Sequence, residues 1–255
     1  MAFTAGGSAR AEAGRWQQQH NGKMGLRVAA ASKLTITKHP GGGNARALDP
    51  TFDHRQDFFH LMAFNYSLAR FLTSAPTLAR CPEDSGVEVA FAGRSNAGKS
   101  SALNALTQNP KLARISKTPG RTTEINFFKV NDSLKLVDLP GYGFAKSSSY
   151  KRKDWGPLLS EYFAKRKSLQ AVIIFMDIRH PLKDIDKDMI NLCNESGVPY
   201  IPVLTKSDKL SNNQKQTALL KVKKDLGGVD AIAVSAKDTI GFDKLSREIL
   251  RYVNA

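Results

Sequence analysis

The 255-residue chain contains only two cysteines, Cys81 and Cys193, with neither paired spacing nor accompanying histidines. That scarcity argues against a zinc site and a disulfide framework, and it fits a reducing compartment. No run of eighteen or more apolar residues occurs, which excludes a transmembrane helix. The longest apolar stretches, such as Ala171 to Met176, have the length of buried strands. Acids are scarce beside bases: 23 Asp and Glu stand against 38 Lys and Arg, a formal net charge of +15. Such a balance favours a polyanionic partner, nucleic acid ahead of an anionic membrane surface. With 41% hydrophobic and 24% charged residues, the chain is not collagen-like, mucin-like or disordered throughout.

The amino-terminal part differs from the rest. Up to Pro50 it carries short Gly, Gln and Ala runs, few aromatics and no sustained helical or strand period. Such a segment buries too little apolar surface to offset its ordering entropy, so residues 1–60 read as a mostly disordered extension. Its basic, acid-poor composition admits an organellar transit peptide, although it lacks amphipathic order and the apolar core of a secretory signal. A biological start further on, for example at Met62, is another reading. Residues 61–255 hold 30 basic and 19 acidic residues, so most of the positive charge belongs to the body.

Along the body, β-rich runs alternate with helical ones. Val87–Ala92, Glu124–Asn131, Leu134–Leu139, Leu169–Ile178, Tyr200–Leu204 and Ala231–Val234 read as strands. Lys99–Thr107, Asp154–Lys167, Asp184–Ser196, Asn212–Leu226 and Phe242–Val253 show helical spacing. The second and third runs, joined by a short turn containing Asp132, form a hairpin. The others connect through helices, which predicts a three-layer α/β fold: a mostly parallel six-stranded sheet with helices on both faces. Ligands of such folds bind at the carboxyl ends of the strands.

Gly93-Arg94-Ser95-Asn96-Ala97-Gly98-Lys99-Ser100 matches G-x-x-x-x-G-K-[ST], directly after a predicted strand and opening a predicted helix. Glycines there let the backbone wrap an anion, successive N–H groups point at it, and the helix start adds positive potential. Lys99 is expected to reach the β- and γ-phosphates, and the Ser100 hydroxyl to hold Mg²⁺. About forty residues on, Asp138-Leu139-Pro140-Gly141 ends a strand. A carboxylate there holds a Mg²⁺ shell through water, while the Gly141 N–H meets the γ-phosphate. Alone, that tetrapeptide would read as a turn; its distance from the phosphate loop favours the functional reading.

Thr205-Lys206-Ser207-Asp208 follows the strand Tyr200–Leu204. A carboxylate at Asp208 accepts from both guanine N1–H and the 2-amino group. Adenine offers neither donor, and a buried charge would be left unpaired. The Lys206 stem suits the purine face, and Ser235-Ala236-Lys237, again at a strand end, can offer N–H groups to guanine O6. Each tetrapeptide is weak alone; in this order, each at a strand end, they support one another.

With these residues in view, the body from about Phe64 to Val253 resembles the EngB (YihA) family of bacterial P-loop GTPases. The resemblance includes Val89–Leu106, Ser116–Thr122, Asp138–Gly143 and Met176–Pro181. It implies that Gly93–Ser100 bind phosphates, that Ser100 and Thr122 bind Mg²⁺, and that Gly120, Arg121, Thr122, Thr123 and Glu124 form the first switch. Asp138–Gly141 would form the second switch, and Thr205–Asp208 with Val234, Ser235 and Ala236 would hold guanine. Lys99, Thr122 and Gly141 would carry the catalysis. Many relatives have glutamine where this chain has Thr123. The resemblance further implies GTP hydrolysis to GDP as a switch in assembly of the large ribosomal subunit, with effects on cell division and septation, by a cytoplasmic monomer. The alternatives are a nucleotide-gated RNA-binding module with little hydrolysis, a GTPase module associated with tRNA modification, and an ATP-using kinase, against which Asp208 argues.

Two residues bear on turnover. Tyr142 stands where Ras-like enzymes place a water-orienting glutamine, which predicts slow hydrolysis until a partner completes the site. Asn96 either holds a K⁺ ion near the β–γ bridge, as in GTPases lacking that glutamine, or bonds within its own loop. Lys117, Arg121, Lys146, Lys151, Arg152 and Lys153, with Tyr142, Phe144, Tyr150 and Trp155 nearby, suit phosphate contact plus base stacking. Ribosomal RNA or a ribosomal subunit is the expected partner. His180 reads as a turn or packing residue.

Overall fold

The computed structural model describes residues 65–113, 124–142 and 156–253, all within the compact unit Phe64–Ala255. Residues 1–60, Gly120–Thr123 of the first switch and the basic cluster at Lys117, Arg121 and 146–153 lie outside the described residues.

The sheet has seven strands, one more than the sequence pattern predicts. They are β1 (Arg70–Ala75), β2 (Val87–Gly93), β3 (Ile125–Lys129), β4 (Leu134–Asp138), β5 (Leu169–Asp177), β6 (Tyr200–Thr205) and β7 (Ile232–Ala233), in the spatial order β1-β3-β4-β2-β5-β6-β7. The additional strand is β1, an edge strand antiparallel to β3 with a register shift between Phe71 and Thr73. Its pattern hid it, because Arg70, Phe71 and Leu72 are all exposed and no alternation marks a buried face. β3 and β4 form the expected antiparallel hairpin. Asn131 makes its turn, with the side-chain oxygen accepting from the Ser133 and Leu134 amides at 2.9 and 2.8 Å. The other four pairings, β4–β2, β2–β5, β5–β6 and β6–β7, are parallel.

Five helices complete the layers: α1 (Lys99–Leu106), α2 (Gly156–Lys165), α3 (Asp184–Glu195), α4 (Asn212–Asp225) and α5 (Phe242–Val253). Along β5, Val172, Ile174 and Met176 join one core, while Ala171, Ile173 and Phe175 join the other. This is the two-residue period of a strand covered on both faces. The first core is closed by Tyr162 and Phe163 of α2, Met189 and Cys193 of α3 and Val222 of α4. The second is closed by Leu103 of α1 and by Phe242, Leu245 and Ile249 of α5. Phe127 and Phe128 fall in opposite cores, as adjacent strand residues must. At about 1.5–3 kcal/mol for each fully buried large apolar side chain, these two layers supply the main driving force for folding.

Away from the carboxyl ends of the strands, Glu88 is fully buried on β2. It accepts from Arg166 at 2.6 and 2.9 Å and from the Tyr162 hydroxyl at 2.8 Å, so the buried charge is fully partnered. No helix among the described residues is long and apolar enough to cross a membrane.

Candidate functional site

Because β2, β4, β5, β6 and β7 run parallel, their carboxyl ends emerge on one side of the sheet. The segments that follow them, 94–98, 139–142, 178–182, 206–209 and 234–237, therefore gather there. β4 and β5 flank β2 on opposite sides, which opens the crevice where open α/β sheets take ligands.

Gly93 ends β2, and Lys99 and Ser100 begin α1. Between them the backbone turns through left-handed conformations at Asn96 (φ 63°) and Gly98 (φ 92°). Asparagine tolerates that region, and glycine enters it freely. A Cβ on Gly98 would also lie 3.2 Å from Thr205 Oγ1, so the loop is seated directly on the end of β6. Thr205 Oγ1 donates to the Ala97 carbonyl, tying the two segments together. Lys99 is ion-paired with Asp138 at the end of β4, and both side chains are largely shielded from water. An anion and a cation placed between them would each take one partner, the ammonium going to phosphate and the carboxylate to the metal shell. Ser100, on the same helix turn as Lys99, adds a hydroxyl oxygen of the kind Mg²⁺ prefers. Glu124 directly precedes β3 and is half-buried.

The second cluster lies around a cavity of about 240 Å³. Gly98, Thr205, Lys206, Asp208, Val234 and Ala236 line it, six of the residues for which the motifs or the family resemblance imply nucleotide binding. Ser101, Ala102 and Lys209 line it too, and the sequence reasoning missed them. Ser101 and Ala102 follow the phosphate motif by one and two positions, where a helix entering the site could have flagged them. Asp208 Oδ1 accepts from the Ser235 hydroxyl at 3.2 Å, and Lys209 Nζ lies 3.2 Å from Oδ2. Desolvation opposes the Asp208 charge, but the Lys209 ammonium and the Ser235 hydroxyl hold its carboxyl below the usual range. The Asp208 side chain is among those that line the cavity.

Lys206, in the left-handed conformation at φ 58°, reaches back across the phosphate loop. Its Nζ donates to the Asn96 carbonyl at 2.8 Å and pairs with Asp177 at 3.0 Å. Asp177 is also gripped by Arg179, at 2.9 Å from Nε and 2.7 Å from Nη2. Those hydrogen bonds hold the Asp177 carboxyl far below the ordinary range, against partial desolvation. Asp177 stood within a motif of the family resemblance without an assigned role, and its place at a strand end beside a basic residue was the available signal. His180 is exposed in the turn that follows β5, where its amide donates to the Asp177 carbonyl at 2.9 Å and its own carbonyl accepts from Arg94 Nη2 at 3.3 Å. Tyr142 is buried with its hydroxyl 3.4 Å from Asp186, so its ring is turned away from solvent.

The family described as 50S ribosome-binding GTPase matches residues 88–206. A protein named "Probable GTP-binding protein EngB" from Pseudoalteromonas translucida is 54% identical over 167 residues, covering 65% of this chain and 75% of that protein. One of the same name from Glaesserella parasuis is 51% identical over 189 residues, covering 72% of this chain and 90% of that protein. Among solved structures, one described as a probable GTP-binding protein engB shares the fold. It has a TM-score of 0.51 and 23% identity, and the match covers 66% of this chain and 99% of that one. S. thermophilus NFeoB, solved with GDP, aluminium fluoride and K⁺, matches with a TM-score of 0.50 at 25% identity, over 65% of this chain and 62% of that one. With relatives about half identical and covered over most of their own length, this chain belongs to the EngB family of P-loop GTP-binding proteins.

Proposed function

We propose that the chain hydrolyses GTP to GDP and phosphate as a switch in assembly of the large ribosomal subunit, with consequences for cell division and septation. The observation that carries the reading is the cavity beneath Asp208, opening beside Gly98 of the phosphate loop. Base and phosphates can be held there at once. Asp208 accepts from guanine N1–H and the 2-amino group, and the Lys206 stem covers one purine face. The loop amides from Gly93 to Ser100 surround the phosphates, and Lys99 leaves Asp138 for the β- and γ-oxygens. Ser100 and Thr122 would hold Mg²⁺, with Asp138 supporting them, and Gly120–Glu124 and Asp138–Gly141 are the two switches. A bound Mg²⁺ supplies charge neutralisation on the phosphates.

The buried Tyr142 ring offers nothing to orient an attacking water, so turnover by the free protein is slow and rises with a ribosomal partner. Asn96 holds a K⁺ ion near the β–γ bridge, a reading favoured by the K⁺ in the related NFeoB structure. The basic residues around the switches, with Phe144, Tyr150 and Trp155, contact RNA; Tyr142, expected among the stacking aromatics, is buried in the core and takes no part. Sedimentation with large ribosomal subunits under GDP and a non-hydrolysable GTP analogue tests the switch; co-migration indifferent to the nucleotide would refute it. Competition of GTP against ATP, and rates in K⁺ against Na⁺, test the base and the cation.

A further inference from the structure

One buried carboxylate, outside every motif, joins the two segments on which hydrolysis depends. Asp186 lies in the first turn of α3 with its side chain fully buried. Arg94 Nε, from the phosphate loop, lies 3.2 Å from each of its oxygens. The Tyr142 hydroxyl, from the residue after the second switch, lies 3.4 Å from Oδ1. The Lys183 amide donates to Oδ2 at 3.1 Å, closing the helix start. A helix cap alone would explain only the last of these bonds. The first is unexpected, since an arginine in a phosphate-binding loop would ordinarily face the anion. Here Arg94 is drawn to the far side of the loop, and its Nη2 also donates to the His180 carbonyl.

Tyr142 is held by its backbone as well. The Ser95 amide donates to its carbonyl at 3.1 Å, and its own amide lies 3.4 Å from the Gly93 carbonyl. Its neighbour Gly141 packs on Ser95, where a Cβ would sit 3.8 Å from the Ser95 Cα. Gly141 is therefore placed by whatever places Tyr142.

We infer that Asp186 is a positioning residue for GTP hydrolysis: by holding Arg94 and Tyr142 on one buried carboxylate, it sets the Gly141 amide against the phosphate loop, where the γ-phosphate is to be met. The inference rests on the proposed function, because the Gly141 amide matters only if a γ-phosphate is bound. GDP lacks that phosphate and is insensitive to the clamp. Asp186 reaches no nucleotide itself and acts through the two residues it holds.

The test uses the full chain with Asp186→Asn, Tyr142→Phe and the double variant. Asparagine keeps the shape and an oxygen for the Lys183 amide, so α3 retains its cap. Affinities for GDP and for a non-hydrolysable GTP analogue are measured with single-turnover GTP hydrolysis and melting temperature. Asp186→Asn is expected to slow hydrolysis about tenfold and to lower the ratio of analogue to GDP affinity, with GDP affinity itself within about twofold of the parent. Tyr142→Phe should act in the same direction more weakly, and the double variant should fall short of the product of the two effects, because both act through one contact. Parallel loss of GDP and analogue affinity, or strict multiplicativity, would overturn the inference and leave Asp186 a purely structural group. A parent protein that binds no guanine nucleotide overturns the proposed function and this inference with it.

Discussion

At the scale of single residues, the proposed selectivity for guanine comes down to which hydrogen bonds the Asp208 carboxylate can accept. Asp208→Asn would put one amide N–H where guanine also presents a donor. Guanine nucleotide affinity should fall about a hundredfold, corresponding to one lost charged hydrogen-bond pair, as measured by titration calorimetry. The same variant should gain affinity for xanthosine nucleotides, whose 2-oxo group accepts what the asparagine donates. Asp177 offers a test through pH. Arg179 and Lys206 depress its folded-state pKa, so the folded protein releases this proton more readily than the unfolded chain. The stabilisation is fully present above the unfolded value near pH 4 and is lost as pH falls through the folded one. Asp177→Asn should therefore lower the melting temperature at neutral pH and flatten its decline between about pH 4 and pH 2. An acid limb as steep as the parent's would contradict the assignment.

Among elements, position in the sheet decides what a substitution costs. Gly241 has φ 84°, and a Cβ there would sit 2.2 Å from the Ala233 carbonyl, at the end of β7. Gly241→Ala should destabilise by about 2–3 kcal/mol or more in urea unfolding, since both the conformation and the space oppose it. It should also weaken guanine binding, because Val234 and Ala236 line the cavity beside it. Glu88→Ala would leave Arg166 with only the more distant Asp84 carboxylate, at 3.6 Å, as counter-charge and cost about 3 kcal/mol, with nucleotide affinity little changed because Glu88 lies away from the carboxyl ends. The elements differed in how far they could be read in advance. α5 repeats Phe242, Leu245 and Ile249 on one face and was legible to the residue at both ends. β7 shrank from four expected residues to two, since only Ile232 and Ala233 pair with β6. β1 escaped altogether: Phe71 and Leu72 are apolar but exposed, and only pairing with β3 makes the segment a strand.

For the molecule as a whole, the excess of basic residues predicts how it meets its partner. With a net charge of +15, binding to ribosomal RNA should weaken steeply with added salt as phosphate contacts release counterions. The logarithm of affinity against the logarithm of salt concentration should be linear, in filter binding or sedimentation; an affinity indifferent to salt would exclude a phosphate-reading surface. What was legible and what was not divides along a physical line. Gly93–Ser100, Asp138–Gly141 and Thr205–Asp208 are short segments, each at the carboxyl end of one strand, so their residue types and spacing stand out in the chain itself. The pairings of Arg94 with Asp186, Lys206 with Asp177 and Thr205 with the Ala97 carbonyl join residues between 29 and 108 positions apart. No local pattern encodes them, since a side chain carries no record of its distant neighbour until the parallel sheet brings their strand ends together. The chain alone thus determined the alternation of strands and helices, the glycine-rich loop after β2 and the carboxylate of Asp208 after β6, whereas folding alone decided which charges those segments share.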